Sequence, residues 1–158
     1  MHHASDREIW RNLRDRFPHP YTVTDAEAWI RLTAEEDPPA NFAIEVDGVA
    51  VGGIGLERGT DIERMTAELG YWLGRAYWGR GIVSAAVRGI TGYAFSTLGL
   101  TRVHALTFAR NLASIRVLEK AGYTREGRLR RSAVKEGVVL DLVLYAITDQ
   151  DLVATDYA

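Results

Sequence analysis

The sequence of 158 residues contains no cysteine. This absence excludes disulfide bonds, thiolate metal ligands and a cysteine nucleophile that would carry an acyl intermediate, and we predict no metal site. Long hydrophobic runs are missing as well. No stretch approaches about 18 apolar residues, and the start lacks the charged-then-apolar order of a signal peptide. We therefore expect a cytoplasmic protein that does not use a membrane.

An excess of charge of one sign is also absent. The chain has 19 Lys and Arg against 21 Asp and Glu, which gives a formal net charge of −2. Nothing global attracts the chain to nucleic acid or to an anionic surface, and we predict neither as a partner. With 47% apolar residues, the chain can build one real core, so we expect a single domain over residues 1–158.

Hydrophobic periodicity and turn residues predict the order of the elements. A capping box that begins at Thr24 and a tight turn at Asp47-Gly48 are clear local signals. The predicted helices cover 5–17, 24–37, 82–98 and 111–120, and the predicted strands cover 42–46, 49–54, 67–73, 103–108 and two segments around 135–137. This order is typical of an α+β fold, a mixed α/β arrangement. Its mainly antiparallel sheet contains one parallel pair, 67–73 with 103–108.

Glycines carry the first functional signal. The segment Gly79-Arg80-Gly81 lies between a predicted strand and a predicted helix, where backbone N–H groups and the positive helix end can hold a phosphate. The same pattern is equally that of a tight turn, and the sequence lacks the further residues of a dinucleotide fingerprint or a P-loop. The ligand class that remains for this segment is a nucleotide that carries a pyrophosphate and needs no catalytic magnesium. Gly89 and Gly92 weaken the following helix, so we expect close packing against the sheet to compensate.

The second signal is the segment 111–123, Asn-Leu-Ala-Ser-Ile-Arg-Val-Leu-Glu-Lys-Ala-Gly-Tyr, which follows a predicted strand. From the residues alone, Asn111 is a good helix N-cap, and Ile115, Leu118 and Ala121 form a buried face. Ser114 is then a surface hydroxyl on the first turn of that helix.

These two segments together resemble the GNAT superfamily of acetyltransferases. Tyr-Trp-Gly-Arg-Gly at 77–81 is followed 30 residues after its last glycine by the Asn-x-x-Ser-x-Arg-Val-Leu-Glu-Lys-x-Gly-Tyr motif. The match is closest to the RimJ/RimL-like branch, named for ribosomal-protein N-terminal acetyltransferases, whose central and closing strands resemble 67–73 and 141–145. The resemblance implies the GNAT fold, a mostly antiparallel twisted sheet with flanking helices and a central parallel pair that splays apart. It also implies an enzyme that transfers the acetyl group of acetyl-CoA directly to an amine.

The resemblance also implies the residues of the site. The pantetheine arm of acetyl-CoA would lie between the splayed strands and bond to the backbone of Trp72 and Leu73. The residues expected to face the pyrophosphate through their amides are Gly79, Arg80, Gly81 and Ile82. The Asn111 side chain would bond the pantetheine arm, and Ser114 would protonate the departing thiolate. Trp78 either lines the cofactor entrance or covers the helix.

Glu68 is the candidate base. An α-amine, with a pKa of about 7.7–8.0, needs less help from a base than a lysine with a pKa of about 10.4, so a carboxylate acting through water suffices. Alternation places Glu68 with Gly70 and Trp72 on one face of a strand that we expect to be buried on both faces. The alternative is an acid at a strand end, in water or paired with an arginine. His104 is expected to be a packed, hydrogen-bonded core residue.

The sequence departs from the branch in three places. Ala76 stands where Gln or Arg is usual, Ala85 stands where Glu is frequent, and an opening edge strand is missing. Either the start is truncated or the sheet has lost that strand. An uncovered edge invites pairing with a second chain, and Trp10, Phe17 and Trp29 offer apolar surface, so we expect a homodimer.

The identity of the acceptor stays open on the sequence. The amine is either a protein N-terminus or a small molecule such as an amino acid, polyamine or antibiotic, because variable segments build the substrate pocket. A non-catalytic acyl-CoA-binding module is the alternative from another class. The presence of both Glu68 and Ser114 argues against such a module.

Overall fold

A six-stranded mixed sheet forms the centre of the protein. The computed structural model describes residues 3–155, with side chains through Leu152. The strands are β1 (Asn41–Val46), β2 (Val49–Arg58), β3 (Thr66–Leu73), β4 (Arg102–Phe108), β5 (Thr124–Lys135) and β6 (Val138–Thr148). Their order is β1-β2-β3-β4-β6-β5, and only the β3/β4 pair is parallel among the described strands. The predicted fold class is therefore confirmed.

Helices flank the sheet within residues 3–155. They are α1 (Arg7–Trp10), α2 (Val23–Ala34), α3 (Ile82–Ser96), α4 (Leu112–Lys120) and α5 (Asp149–Thr155). The short helix α5 was not predicted, and it follows β6 directly. The backbone amide and the hydroxyl of Thr148 both donate to Asp151 Oδ2 at 2.7 Å, which holds the start of this helix. No described helix is long and apolar enough to cross a membrane.

The core lies between one face of the sheet and helices α3 and α4. Alternation along β3 buries Ala67, Leu69 and Leu73, while Glu68 and Trp72 on the other face are half-buried and Gly70 is exposed. The core is completed by Val51, Val87, Ile90, Ala94, Val103, Ala105, Leu118, Val143, Tyr145 and Ile147. The prediction that β3 is buried on both faces is therefore wrong, since the second face is only partly covered.

Two hairpin turns follow directly from local sequence. Asp47 and Gly48 have φ of 52° and 79°, and Glu136 and Gly137 have φ of 51° and 74°. Positive φ at both central residues is what a type I′ turn requires, and this turn matches the twist of the strands that it joins. Both predicted hairpins are thus confirmed, β1 with β2 and β5 with β6.

The glycines of α3 do not pack against the sheet. Apart from the chain neighbours and the backbone of α3 itself, no described atom lies within 4 Å of the position that a β-carbon would take at Gly89 or Gly92, and Gly89 is exposed. The expected compensation by close packing is wrong, because both glycines lie away from the buried face formed by Ser84, Val87, Ile90, Thr91 and Ala94.

The first predicted helix is much shorter than expected. Of 5–17, only Arg7–Trp10 is helical, because its apolar residues do not share one buried face. Ile9 is buried, the Trp10 ring lies 3.6 Å from Lys135 Nζ, and Phe17 stacks on Tyr21 with ring centroids 5.0 Å apart. These separate contacts fold residues 3–21 into turns that lie along the sheet.

Helix α2 also begins at a different residue from the predicted one. Its N-cap is Thr22, not Thr24, since the Thr22 hydroxyl accepts from the Asp25 amide and the Asp25 carboxylate accepts from the Thr22 amide. The capping box is thus shifted by two residues. The helix buries none of its residues, and Trp29 is 50% exposed.

Candidate active site

Strands β3 and β4 diverge after a short parallel ladder. The ladder pairs Thr66 with Arg102, Ala67 with Val103 and Glu68 with His104, and no residue of β3 after Glu68 is paired with β4. Strand β4 instead pairs with β6 along its full length, from Arg102 to Phe108. The far half of β3 therefore presents an unpaired edge to a gap, as the expected splay requires.

A glycine loop lies next to the end of β3. Gly79 and Gly81 have φ of 73° and 77°, in the left-handed region that favours glycine. Gly81 is the N-cap of α3 and no side chain caps this helix, so its first N–H groups carry no side-chain partner. No described atom lies within 4 Å of the β-carbon position at either glycine. The loop thus leaves room and free donors for an anion.

Trp78 links this loop to the gap. Its indole N–H donates to the Leu73 carbonyl at 2.7 Å, while the residue as a whole stays 47% exposed. The Leu73 carbonyl therefore already accepts one hydrogen bond at the end of β3. Tyr77 stacks under the Arg80 guanidinium at 5.5 Å from the ring centroid. Arg75, the basic residue one place from the usual position, lies 3.7 Å from Asp6 Oδ2.

Ser114 lies at the first turn of α4, opposite the free edge of β3. Its amide donates to Asn111 Oδ1 at 3.2 Å, so Asn111 is the helix N-cap, as the residues alone indicated. Its hydroxyl forms a hydrogen bond of 2.7 Å with the hydroxyl of Tyr71, three residues past the last β3/β4 pair. Burial raises the pKa of Tyr71 to about 12, with the hydrogen bond to Ser114 opposing the rise. The phenol is thus neutral at physiological pH.

A row of ionisable side chains crosses the other face of the sheet. Glu57 of β2 is paired with Glu68 of β3, and Glu68 is paired with His104 of β4. Arg16 donates to Glu57 at 2.5 Å and Arg14 donates to Glu68. The Arg16 hydrogen bond holds the pKa of the mostly exposed Glu57 carboxyl below its usual value. The alternative noted for Glu68, pairing with an arginine, is what the structure contains.

His104 is not a packed core residue, contrary to the prediction. It is half-buried on the outer face and lines an open cavity of about 310 Å³. The other lining residues are the apolar Leu106, Leu129 and Leu144 and the polar Glu63, Thr66 and Arg102. Burial lowers the pKa of His104, with the nearby Glu68 carboxylate acting in the opposite direction. His104 lies outside the core because the register of the parallel ladder puts it on the same face of the sheet as Glu68.

The structure thus gathers the predicted cofactor residues at one end of β3. Trp72, Leu73, Trp78 and the 79–82 loop lie on one side of the gap, and Asn111 and Ser114 lie on the other. Glu68 points away from Ser114, because Glu68 and Tyr71 are on opposite faces of the strand. Sequence reasoning missed the partners Arg14 and Tyr71, for which no local pattern gives a signal. Within the part of the chain described, no three His, Asp or Glu side chains cluster as metal ligands would.

Comparison with known proteins identifies the family to which a chain with this site is similar. The sequence profile of the acetyltransferase (GNAT) domain matches residues 1–124. YjcK of Bacillus subtilis, named as a probable N-acetyltransferase, is 39% identical over 121 residues, which make up 77% of this chain and 67% of YjcK. YdaF of the same organism, named as a candidate ribosomal N-acetyltransferase, is 35% identical over 105 residues, 66% of this chain and 57% of YdaF. The matched region is thus only part of each relative.

Among solved structures, RimJ of Mycobacterium smegmatis in complex with CoA-disulfide superposes with a TM-score of 0.73. It is 29% identical, and the match covers 85% of this chain and 70% of that one. The profile match extends through the glycine loop, the diverging strands and α4, which are the elements that build the site described above. On this evidence the chain belongs to the GNAT family of acetyltransferases.

Proposed function

We propose that this protein transfers the acetyl group of acetyl-CoA directly to a primary amine, in the manner of the RimJ/RimL-like branch. The observation that carries the proposal is the divergence of β3 from β4 beside the uncapped N-terminus of α3. A free strand edge suits the amide groups of a pantetheine arm, and free helical N–H groups suit a pyrophosphate. Acetyl-CoA, when bound, supplies the thioester that the amine attacks.

The cofactor residues in this proposal are those of the gap. The backbone of Trp72 and Leu73 would receive the pantetheine arm, with the Leu73 carbonyl shared with the Trp78 indole. The amides of residues 79–82 would hold the pyrophosphate. Because the side-chain oxygen Oδ1 of Asn111 accepts from the α4 backbone, the arm would bond to the NH₂ group of that side chain, which is a donor.

The phosphate site is tested by comparing two variants of Gly81 that differ in side-chain charge alone. Gly81→Glu and Gly81→Gln add side chains of nearly equal size into open space, and they differ by one negative charge. Coulomb repulsion of about 1 kcal/mol per phosphate charge at close range in water predicts that Glu weakens CoA binding about fivefold more than Gln for each charge that lies near residue 81. Gly99→Glu is the control, since Gly99 has φ of 63° and equal space but lies beyond the other end of α3. Equal affinity of the Glu and Gln variants, measured by calorimetry, would place the phosphates elsewhere.

The acid and base roles fall to Ser114 and Glu68 in this proposal. The two side chains act from opposite faces of β3, so the cofactor sulfur and the acceptor amine would meet in the gap between them. The amine nitrogen bonds to the acetyl carbon, the carbon–sulfur bond breaks, the sulfur takes the Ser114 proton, and a water passes the amine proton to Glu68. Arg14 occupies the Glu68 carboxylate in the structure, so its guanidinium must move aside before that carboxylate can accept a proton through water.

Two substitutions test these roles. Ser114→Ala is expected to lower kcat at least tenfold while the KM for acetyl-CoA changes little, since the proton is needed as charge develops on sulfur. Glu68→Gln is expected to lower kcat most at low pH, where less of the amine is already neutral. Glu57→Gln is the matched control, because Glu57 is the cross-strand neighbour and also pairs with one arginine. A loss that does not depend on pH, or one shared by Glu57→Gln, would remove Glu68 from the base role.

The acceptor that we propose is the α-amine of a protein N-terminus. Support comes from YdaF and RimJ, whose names refer to ribosomal acetylation or to the branch. An α-amine also matches a site with modest basic help, because its pKa is about 7.7–8.0. Transfer of labelled acetyl groups to peptides with free or blocked N-termini, and to amino acids and polyamines, tests this choice. If only amino acids or polyamines were labelled, the acceptor would be a small molecule and not a protein N-terminus. Tight CoA binding without any acetyl transfer would indicate a non-catalytic module.

We also propose that the protein forms a homodimer. Strand β1 is at one edge of the sheet, where β2 is its sole neighbour among the described strands. Trp29 on α2 is half exposed, whereas Trp10 and Phe17 are engaged within the chain, so the apolar surface is smaller than the sequence indicated. Light scattering over a concentration series decides the matter, since a constant mass of 17.6 kDa means a monomer.

A further inference from the structure

Tyr71 is the one side chain that forms a hydrogen bond with the hydroxyl of Ser114 in the described part of the protein. The two hydroxyl oxygens are 2.7 Å apart, and the Tyr71 oxygen also lies 3.3 Å from the Ser114 carbonyl oxygen. The tyrosine comes from β3 and the serine from α4, 43 residues further along the chain. The contact therefore bridges the two walls of the gap.

The surroundings of Ser114 leave its hydroxyl few other orientations. Its amide is fixed by the Asn111 cap at 3.2 Å, and the helical backbone sets the direction of its β-carbon. Each hydroxyl has a single proton. If the phenol donates to Ser114 Oγ, the serine keeps its own proton free to point into the gap. In the other arrangement the phenol donates to the Ser114 carbonyl oxygen at 3.3 Å and the serine donates to the phenol, so the serine proton is not available to a leaving group.

We propose that Tyr71 is a positioning residue that donates to Ser114 Oγ and so directs the serine proton towards the thiolate that leaves during acetyl transfer. This inference rests on the function proposed above. The carbon–sulfur bond breaks, its electron pair goes to sulfur, and sulfur takes the proton from Ser114 Oγ. Tyr71 keeps its proton throughout, and its hydrogen bond strengthens as negative charge grows on the serine oxygen. Ser114 regains a proton through water, and the proton that Glu68 took from the amine replaces the one that this water gave.

Burial suits Tyr71 to this role. The ring lies on the core face of β3 and a phenol there loses its proton only at high pH, since the pKa of Tyr71 is about 12. Tyr71 therefore remains a donor at every pH at which the enzyme would work. A histidine or carboxyl group at this position would change its charge within that range.

Tyr123 provides a matched control. It is also buried, its pKa is also about 12, and its hydroxyl forms a 2.8 Å hydrogen bond with the Thr91 hydroxyl. It makes no hydrogen bond to Ser114 among those described. Tyr71→Phe and Tyr123→Phe thus each remove one buried phenolic hydroxyl from the same core, and they differ in whether Ser114 loses its partner.

The test measures steady-state kinetics of both variants with the acceptor that the parent enzyme uses. Tyr71→Phe is expected to lower kcat by three- to tenfold, with the KM for acetyl-CoA within twofold of the parent, because one hydrogen bond is worth about 0.5–1.5 kcal/mol. Tyr123→Phe should keep the parental kcat. In the Ser114→Ala background, Tyr71→Phe should have no further effect, since its partner is already gone.

The outcomes separate this inference from the proposed function. Three results with an active parent would overturn the role of Tyr71 alone. They are an unchanged kcat in Tyr71→Phe, an equal loss of kcat in Tyr123→Phe, and a full further loss of kcat when Tyr71→Phe is added to Ser114→Ala. A parent that binds CoA but acetylates no amine would overturn the function and the inference together.

A second variant keeps the inference testable if Tyr71→Phe does not fold. 3,5-Difluorotyrosine at position 71 keeps the hydroxyl and the ring but lowers the pKa of the phenol. We expect the kcat of this variant to fall at a lower alkaline pH than the kcat of the parent, because the ionised phenol can no longer donate. In the described core, burial and the nearby Tyr71 raise the pKa of Tyr123 to about 12, so Tyr123 stays neutral in the range where the substituted phenol ionises. If kcat fell at the same alkaline pH in this variant and in the parent, Tyr71 would not act as a donor.

Discussion

Helix α3 offers a direct test of how its glycines contribute to stability. Gly89 is exposed, and a β-carbon there would meet no described atom within 4 Å. Alanine at this position therefore adds no contact and no clash, and its effect reduces to helix propensity. Alanine is more favourable than glycine by about 1 kcal/mol inside a helix. For a domain of this size, that gain corresponds to a rise in Tm of about 2–4 °C.

The control for Gly89→Ala is Gly99→Ala, just beyond the end of the same helix. Gly99 also has open space, but its φ is 63°, a conformation that costs an alanine about 1–2 kcal/mol. The two substitutions, identical in chemistry, should thus shift Tm in opposite directions when unfolding is followed by calorimetry or circular dichroism. A fall in Tm for Gly89→Ala would show that the β-carbon meets the sheet.

Two further predictions concern buried ionisable groups. Tyr71 and Tyr123, with pKa values of about 12 against about 10 in the unfolded chain, should stabilise the fold fully below pH 10 and lose that contribution as the pH rises through 12. Their late phenolate absorbance in an alkaline titration would verify this, and complete titration near pH 10 in the folded protein would contradict it. The buried Lys135 lies 2.6 Å from the exposed Asp15, so Asp15→Asn should lower the free energy of unfolding by about 1–2 kcal/mol, whereas Lys135→Met should cost less or stabilise. Urea denaturation distinguishes the two, and an unchanged Asp15→Asn variant would mean that Lys135 does not depend on its partner.

Local signals in the sequence were sufficient for much of the fold. The hairpin turn at Asp47-Gly48 needs positive φ at adjacent residues, a property of those residues alone. The Asn111 cap and the glycine loop at 79–81 are local in the same way, and the structure contains both. The first helix was overestimated because a helical spacing of apolar residues does not tell which surfaces they meet. The Trp10 ring lies against the Lys135 ammonium group, and the Phe17 ring contacts the Trp72 ring edge to face.

By itself, the sequence determined the fold class, the order of the six strands and of helices α2 to α4, and the segments that build the gap, since short-range conformational preferences and periodicity set all of these. Only the tertiary structure decided which side chains face one another across it. Arg14 reaches Glu68 over 54 residues and Tyr71 reaches Ser114 over 43. Such pairs depend on where β3 and β4 part and on which face each residue takes. Sheet register and packing of the whole chain fix those two properties, and no single segment encodes them.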